Sequence, residues 1–455
     1  MFMKINYLIL TIFLLSMISC NDIIEDSQMS EISHLHKEQA DKRSYEEAIR
    51  IAQQSISMLD SSLVTTRGTT QARQIDLHKT TAIVCSNDMV TRSSDSPEND
   101  TLMYVFNFND NQGFAVVSAE ESTEGLIAIT ESGSYNPSDT TDSGFNRFMA
   151  AAKLYILANK DKKKNNLTRA QVGQLERVDT IGIYSISPRI TVKWGQTGHE
   201  GEFCSNGVSG CMHTAAAMIM SYFEYPTGIS LTYEDAPYTY RALNWSGIKS
   251  FVGKYEYIPT HDYDLCMNED HKSIGYLCRE LAHKTGDNFN YNPLGTSANM
   301  LDLRNALISY GYSVGDITYY QNLVNTTTVE NHLSDGKLIL MAGVSSLGGG
   351  HAWVIDGFYR YTIHYRRYEY TPNNELPDFP LLTLIEEQYN QYRYNHINWG
   401  GNGYNNGFFS DGVFSFYGNA YSYDSSNYIG TTNNNNLITE NNFSVNVNFI
   451  TIYKD

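Results

Sequence analysis

The hydrophobic pattern changes period part-way along this 455-residue chain, and that change limits the fold more than any other feature. In the stretch before about residue 309, Met212 to Phe223 carries Ala215, Ala216, Ile219, Tyr222 and Phe223 at helical spacing and is stopped by Pro226. Further helices are expected over about 271–284 and 298–309. Beyond residue 338 the pattern is β. Leu338 to Met341, His351 to Phe358, Tyr394 to Trp399, Phe408 to Phe416 and Phe443 to Ile452 all read as strands. In the last, Phe443, Val445, Val447 and Phe449 alternate with polar residues, as in a half-buried strand. Helices first and sheet later imply an α+β fold, not a doubly wound one.

A smaller unit precedes this one. Ser44 and Glu47 fit a capping box ahead of a helix whose apolar face is Ala48, Ile51, Ala52, Ile56 and Leu59. Met103 to Phe108 and Phe114 to Ser118 read as a hairpin around the Asn109–Gly113 turn, followed by a strand at Leu126 to Ile129 and a helix from Phe145 to Leu157. The polar, basic stretch at about 159–190 reads as an exposed linker open to proteolysis.

A chain of this length is expected to form two or three domains. The formal charge of −18 is spread along it, with −7 over residues 21–190 and −12 over 191–455, which argues against a general nucleic-acid binder. Six cysteines are too few for a disulfide scaffold, although Cys266 and Cys278 could pair. No Cys-x-x-Cys or His-Glu-x-x-His spacing occurs, so neither a metal nor a cofactor is expected. At the N-terminus, Lys4, the apolar run Tyr7 to Leu15 and the small residues before Cys20 describe an export signal. Met17-Ile18-Ser19-Cys20 resembles a bacterial lipobox with Cys20 as the acylated residue; ordinary signal-peptide cleavage nearby is the alternative.

Four segments carry residues suited to chemistry. Gly210-Cys211 opens a helix, where free amides and the helix dipole favour a thiolate. Gly348-Gly349-Gly350-His351 places an imidazole at a strand start, where the glycines allow backbone or substrate to pass close. Asn398 could hold that imidazole in its useful tautomer, with Trp399 shielding the contact. Gln196 could donate to an oxyanion beside the Cys211 amide.

This order resembles the streptopain family of papain-like cysteine peptidases: Trp194-Gly195-Gln196, then Gly210-Cys211 and Thr214-Ala215 before a helix, then the decapeptide around His351, then Asn398-Trp399-Gly400. Gly113 to Ala119, followed by Gly133-Ser134-Tyr135, is similar to that family's inhibitory propeptide. The resemblance implies a Cys-carrying helix packed on an antiparallel His-carrying sheet, behind a small α+β prodomain. It makes Cys211 the nucleophile, His351 the acid/base, Gln196 the oxyanion donor, and Asn398 and Trp399 the supports of the histidine. Residues 292–298 take the place of a loop lining the substrate cleft, so Ser297 and Ala298, with Gly349 and Gly350, are expected to meet substrate.

The implied organisation is a signal over 1–20, tether and propeptide over 21–185, and a catalytic domain over 186–455. The expected function is that of an exported cysteine endopeptidase made as a zymogen. Its partners would be polypeptide substrates and its own propeptide, and it would meet the membrane only through a lipid at Cys20. Two departures bear on substrate preference. Gly401-Asn402-Gly403 replaces the family's second Trp, and the tyrosine-rich residues 358–393 suggest an inserted flap beside the cleft. His213 reads as a polar residue on a helix face. A surface carbohydrate- or protein-binding lipoprotein, or a cell-wall amidase or transpeptidase on the same fold, are the alternatives.

Overall fold

A computed structural model describes residues 42–67, 73–84, 101–138, 143–160, 174–204, 207–231, 239–250, 269–286, 298–319, 327–344, 350–371, 381–414 and 445–454. Cys20, Cys85, Cys266, Ser297 and Gly349 lie outside these residues, as does Phe443.

The N-terminal part begins with α1 (Tyr45–Arg67). Its start follows the capping expectation, with the Glu47 amide donating to Ser44 Oγ at 3.2 Å. Four strands come next, β1 (Ile75–Val84), β2 (Thr101–Phe108), β3 (Phe114–Ser118) and β4 (Leu126–Thr130), and then α2 (Ser143–Asn159). Strands β2 to β4 are buried on both faces because a helix covers each side. Ala48, Ala52, Ile56 and Leu59 of α1 pack with Tyr104, Phe106 and Phe108; Phe145, Phe148 and Ala152 of α2 pack with Leu102, Met103 and Val105.

The C-terminal part contains α3 (Cys211–Phe223), the small hairpin β6 (Gly228–Ser230) and β7 (Tyr240–Ala242), α4 (Trp245–Ser250), α5 (Glu269–Lys284) and α6 (Met300–Ser309). The short strands β8 (Ser313–Val314) and β9 (Thr318–Tyr319) and the helix α7 (Thr327–Ser334) lead into the main strands. These are β10 (Leu338–Val344), β11 (Gly350–Thr371), β12 (Leu381–Asn398), β13 (Gly407–Ser410) and β14 (Val445–Tyr453). The architecture is α+β, with the Cys211 helix packed on β10 and β11.

Four features differ from the sequence expectation. The two units share one sheet, in the order β1-β2-β3-β4-β13-β12-β11-β10-β14-β8, because β4 pairs with β13. The expected linker contains a strand, β5 (Gln174–Ile186), paired antiparallel with β11 from Phe358 to Glu369. The expected strand at 408–416 stops at Ser410 and turns helical over 411–414. In β14, Phe449, Ile450, Thr451 and Ile452 are all buried, because the strand lies inside the sheet and not at a half-covered edge.

The expected flap is also something else. Residues 358–371 and 381–393 continue β11 and β12 without interruption and, with β5, make a three-stranded arm. Twenty-two residues of strand reach roughly 70 Å if straight, at about 3.3 Å each. His351 sits at one end of β11, so the arm leads away from it. Charges knit the arm together: Arg367 pairs with Glu176 at 3.1 Å and Glu386 at 2.8 Å, and Arg366 pairs with Asp179.

Candidate active site

Gly210 takes φ 86°, a conformation only glycine adopts without strain, and turns the chain into α3 so that Cys211 is its first residue. The preceding segment is tied to this turn. The Ser209 amide donates to the Gln196 carbonyl at 2.8 Å, and Thr214 Oγ1 donates to the Gly195 carbonyl at 3.2 Å. The buried Glu200 accepts the Gly195 amide at 3.1 Å, and burial lifts its carboxyl to about 7. Half-buried Gln196 is thereby held beside the start of the Cys211 helix.

Cys211 keeps some surface, but its sulfur is enclosed, and that burial pushes the thiol up. The amides of Ala352, Met212 and Cys211 itself, with the charge of Arg147, pull in the opposite direction. Ala352 follows His351 on β11, so the sulfur meets the backbone beside the histidine. His351 is 5% exposed, and its Nε2 is 2.8 Å from the Trp399 carbonyl. Burial pushes the imidazole down to about 4. The Trp399 carbonyl opposes that shift, and the Arg147 charge reinforces it.

Trp399 is fully buried, 5.4 Å from Trp353, 5.2 Å from Phe409 and 6.3 Å from His351 between ring centres. Asn398 stands elsewhere than expected. Its amide donates to the Val192 carbonyl at 3.2 Å and its oxygen accepts the Gly400 amide at 3.2 Å, so it fixes the turn after β12. Ala298 is half-buried against the core, and Gly350 is exposed at the first position of β11. His213 is fully buried, bridging the Ser209 carbonyl at 2.7 Å and Thr285 Oγ1 at 2.9 Å. Among the described residues Cys204, Cys211 and Cys278 form no disulfide, and Cys278 lies near Cys204.

The N-terminal part reaches this site directly. Gly144, in the first turn of α2, lies so close that a Cβ there would be 2.5 Å from His351 Cδ2, 2.7 Å from His351 Nε2 and 2.6 Å from Trp399 Cε3. Arg147, one turn on, adds a positive charge near both Cys211 and His351. Phe148 touches Trp399 at 6.4 Å and Phe409 at 4.8 Å between ring centres.

A second buried cluster joins the same two parts. His396 Nδ1 is 2.6 Å from Asp356 Oδ1, and Asp356 Oδ2 accepts the amides of Arg189 and Ile190 at 3.1 and 2.8 Å. Glu131, beyond β4, lies 3.5 Å from His396 Nε2, an ion pair more than a hydrogen bond. Burial alone would push His396 down, but Asp356 and Glu131 together raise it to about 9. Gly144, Arg147, Glu131 and Glu200 escaped sequence reasoning, since nothing local marks them. Asp356 stands inside the decapeptide around His351 and His396 inside the expected strand Tyr394 to Trp399, where residue type alone gives neither a role.

Residues 193–409 match the Peptidase C10 family, and residues 37–156 match the Spi protease inhibitor family. The chain is 25% identical to streptopain of Streptococcus pyogenes over 291 residues, covering 56% of this chain and 68% of that protein. Among solved structures it is similar to a prointerpain A fragment of Prevotella intermedia, at 18% identity and TM-score 0.49, covering 83% of this chain and 98% of that one. It is also similar to active interpain A from the same organism, at 19% identity and TM-score 0.31, covering 50% and 86%. The chain is therefore a streptopain-like cysteine-type endopeptidase, a zymogen carrying its inhibitory propeptide ahead of the peptidase domain.

Proposed function

We propose that Cys211 is the nucleophile and His351 its acid/base. The thiolate attacks a peptide carbonyl, and the oxyanion is received by Gln196 and the Cys211 amide. His351 protonates the leaving amine, and water then hydrolyses the thioester. Trp399 keeps the imidazole dry, and Asn398 supports it indirectly by fixing the turn that carries the Trp399 carbonyl. Ala298 and Gly350, with Ser297 and Gly349, line the substrate cleft. Residues 21–185 act as tether and propeptide, and 186–455 as the peptidase. Export follows from the N-terminal signal, with Cys20 as a lipid anchor.

The observation that carries this reading is the seat of α2 on the dyad, where Gly144 meets His351 and Arg147 adds its charge near Cys211. A propeptide so placed excludes substrate and disfavours the imidazolium, through burial and through like charge. Its removal would rehydrate both groups and let the thiolate–imidazolium pair form. Replacing Cys211 by Ala in the processed enzyme should abolish hydrolysis of denatured protein and labelling by a thiol reagent at this site. Undiminished hydrolysis would exclude Cys211 as nucleophile.

A further inference from the structure

In the uncut chain, β4 lies along one edge of β13, with Thr130 opposite Gly407, Ile129 opposite Phe408 and Ala128 opposite Phe409. The other edge of β13 is taken by β12. Departure of the propeptide therefore bares the backbone donors and acceptors of residues 407–409, and an open strand edge is a template for another extended chain. It also bares both faces beside that edge. On one side Phe408 packs with Tyr359, Tyr361 and Tyr394, against which Ile129 sits; on the other Phe409 packs with Trp399, on the side that Ala128 faces.

We propose that this edge is a peptide-binding exosite of the processed enzyme. It takes an extended apolar segment of a polypeptide substrate in the place that β4 holds before activation. The inference rests on the reading of residues N-terminal to the peptidase as a removable propeptide. Three observations favour a substrate strand as the occupant. First, β4 itself shows the chemistry that fits: Leu126 and Ile129 lie with the tyrosine floor, and Ile127 and Ala128 lie on the Phe409 side. Second, Gly407 lets a neighbouring backbone approach closer than any side chain would permit; a Cβ there would stand 2.2 Å from the Ile129 carbonyl oxygen and 2.6 Å from Thr130 Cα. Third, the edge adjoins the chemistry. Phe409 is 5.2 Å from the Trp399 ring, and the Trp399 carbonyl is 2.8 Å from His351 Nε2. A substrate paired here by strand addition would have its scissile region delivered toward the dyad, with main-chain bonds supplying affinity and alternate side chains supplying selectivity.

The test uses processed wild-type enzyme, a denatured protein substrate, a short chromogenic peptide, and as competitor a blocked peptide with the sequence of residues 124–131. The competitor should slow cleavage of the protein roughly tenfold by raising KM, the return expected from a few edge hydrogen bonds and two apolar side chains, while turnover of the short peptide stays unchanged. A Gly407→Val enzyme should lose about tenfold more kcat/KM on the protein than on the short peptide. Equal inhibition of both substrates by the competitor would place the peptide in the cleft and overturn the exosite, as would no inhibition of either. Native mass measurement adds two further overturning outcomes, a second copy paired through this edge or the released propeptide still bound. If the uncut chain already cleaves protein at the processed rate, the propeptide reading itself fails, and this inference with it.

Discussion

The propeptide grips the peptidase with two helices that do different work. On one face, α2 sets Gly144, Arg147 and Phe148 among His351, Cys211 and Trp399. On the other, α1 lays Ala48, Ala52, Ile56 and Leu59 into a cluster with Tyr359, Tyr361, Tyr394 and Phe408, with no catalytic side chain in it. With Cys211 and His351 as the proposed dyad, the first contact would block chemistry through fit and charge, and the second holds the propeptide through apolar area. Latency thus divides into blocking and holding, and each half should respond to different changes.

The largest effect should come from the blocking face. Gly144→Leu introduces a side chain where even a Cβ would meet the imidazole and indole below 3 Å, so the first turn of α2 must lift. Overpacking of this kind costs about 1–3 kcal/mol, which translates into roughly 5- to 150-fold faster labelling of Cys211 by a thiol reagent in the uncut chain. Unchanged labelling would mean that α2 does not control access.

A change on the holding face should show the reverse signature. Ile56 is 4% exposed, and Ile56→Ala removes buried methyl groups at a cost of about 2–4 kcal/mol. The melting temperature of the uncut chain should fall by several degrees. Cys211 labelling should rise less than about threefold, because the Gly144 contact remains. If Ile56→Ala exposes Cys211 as strongly as Gly144→Leu, the two faces act as one unit and the division is wrong.

The sequence showed the blocked residues more readily than the blocker. Cys211 and His351 announce themselves through glycines that open a helix and a strand, and the 3.6-residue pattern after Cys211 ends where Pro226 requires. Gly144 carries no such mark, since its meaning lies in a histidine 207 positions away in sequence. Strand β5 was hidden for a different reason. Its side chains are mostly exposed on both faces of the arm, so no alternation of burial appears in its composition. The same arm read as a flap because tyrosines suggested a surface near substrate, whereas register carries it outward. The bonds of Asn398 to Val192 and Gly400 were not legible, because they depend on the turn geometry at 398–400, which residue types alone do not reveal.

The smallest effect, and the one that separates charge from packing, is proton linkage across the interface. Burial raises Glu124 of the propeptide to about 8, with Asp411 reinforcing and Ser410 opposing the shift. His396 of the peptidase stands at about 9 between Asp356 and Glu131. Both groups hold a proton more tightly when docked than their ordinary values of 4.5 and 6.5 allow. The sign follows from linkage: docking keeps the full benefit of each proton below the undocked value and loses it as pH rises through about 8 and about 9. Asp356 stays with His396 after separation, so only the share due to Glu131 is lost there. The cleaved propeptide should therefore bind a Cys211→Ala peptidase more weakly as pH rises from 6 to 9, by roughly tenfold or less. Glu124→Gln, which cannot ionise, should flatten most of that slope while leaving the Gly144 contact in place. A slope that persists in Glu124→Gln and disappears in Glu131→Gln would assign the linkage to the histidine alone. A flat profile in the unaltered protein would leave latency resting on packing against the two helix faces.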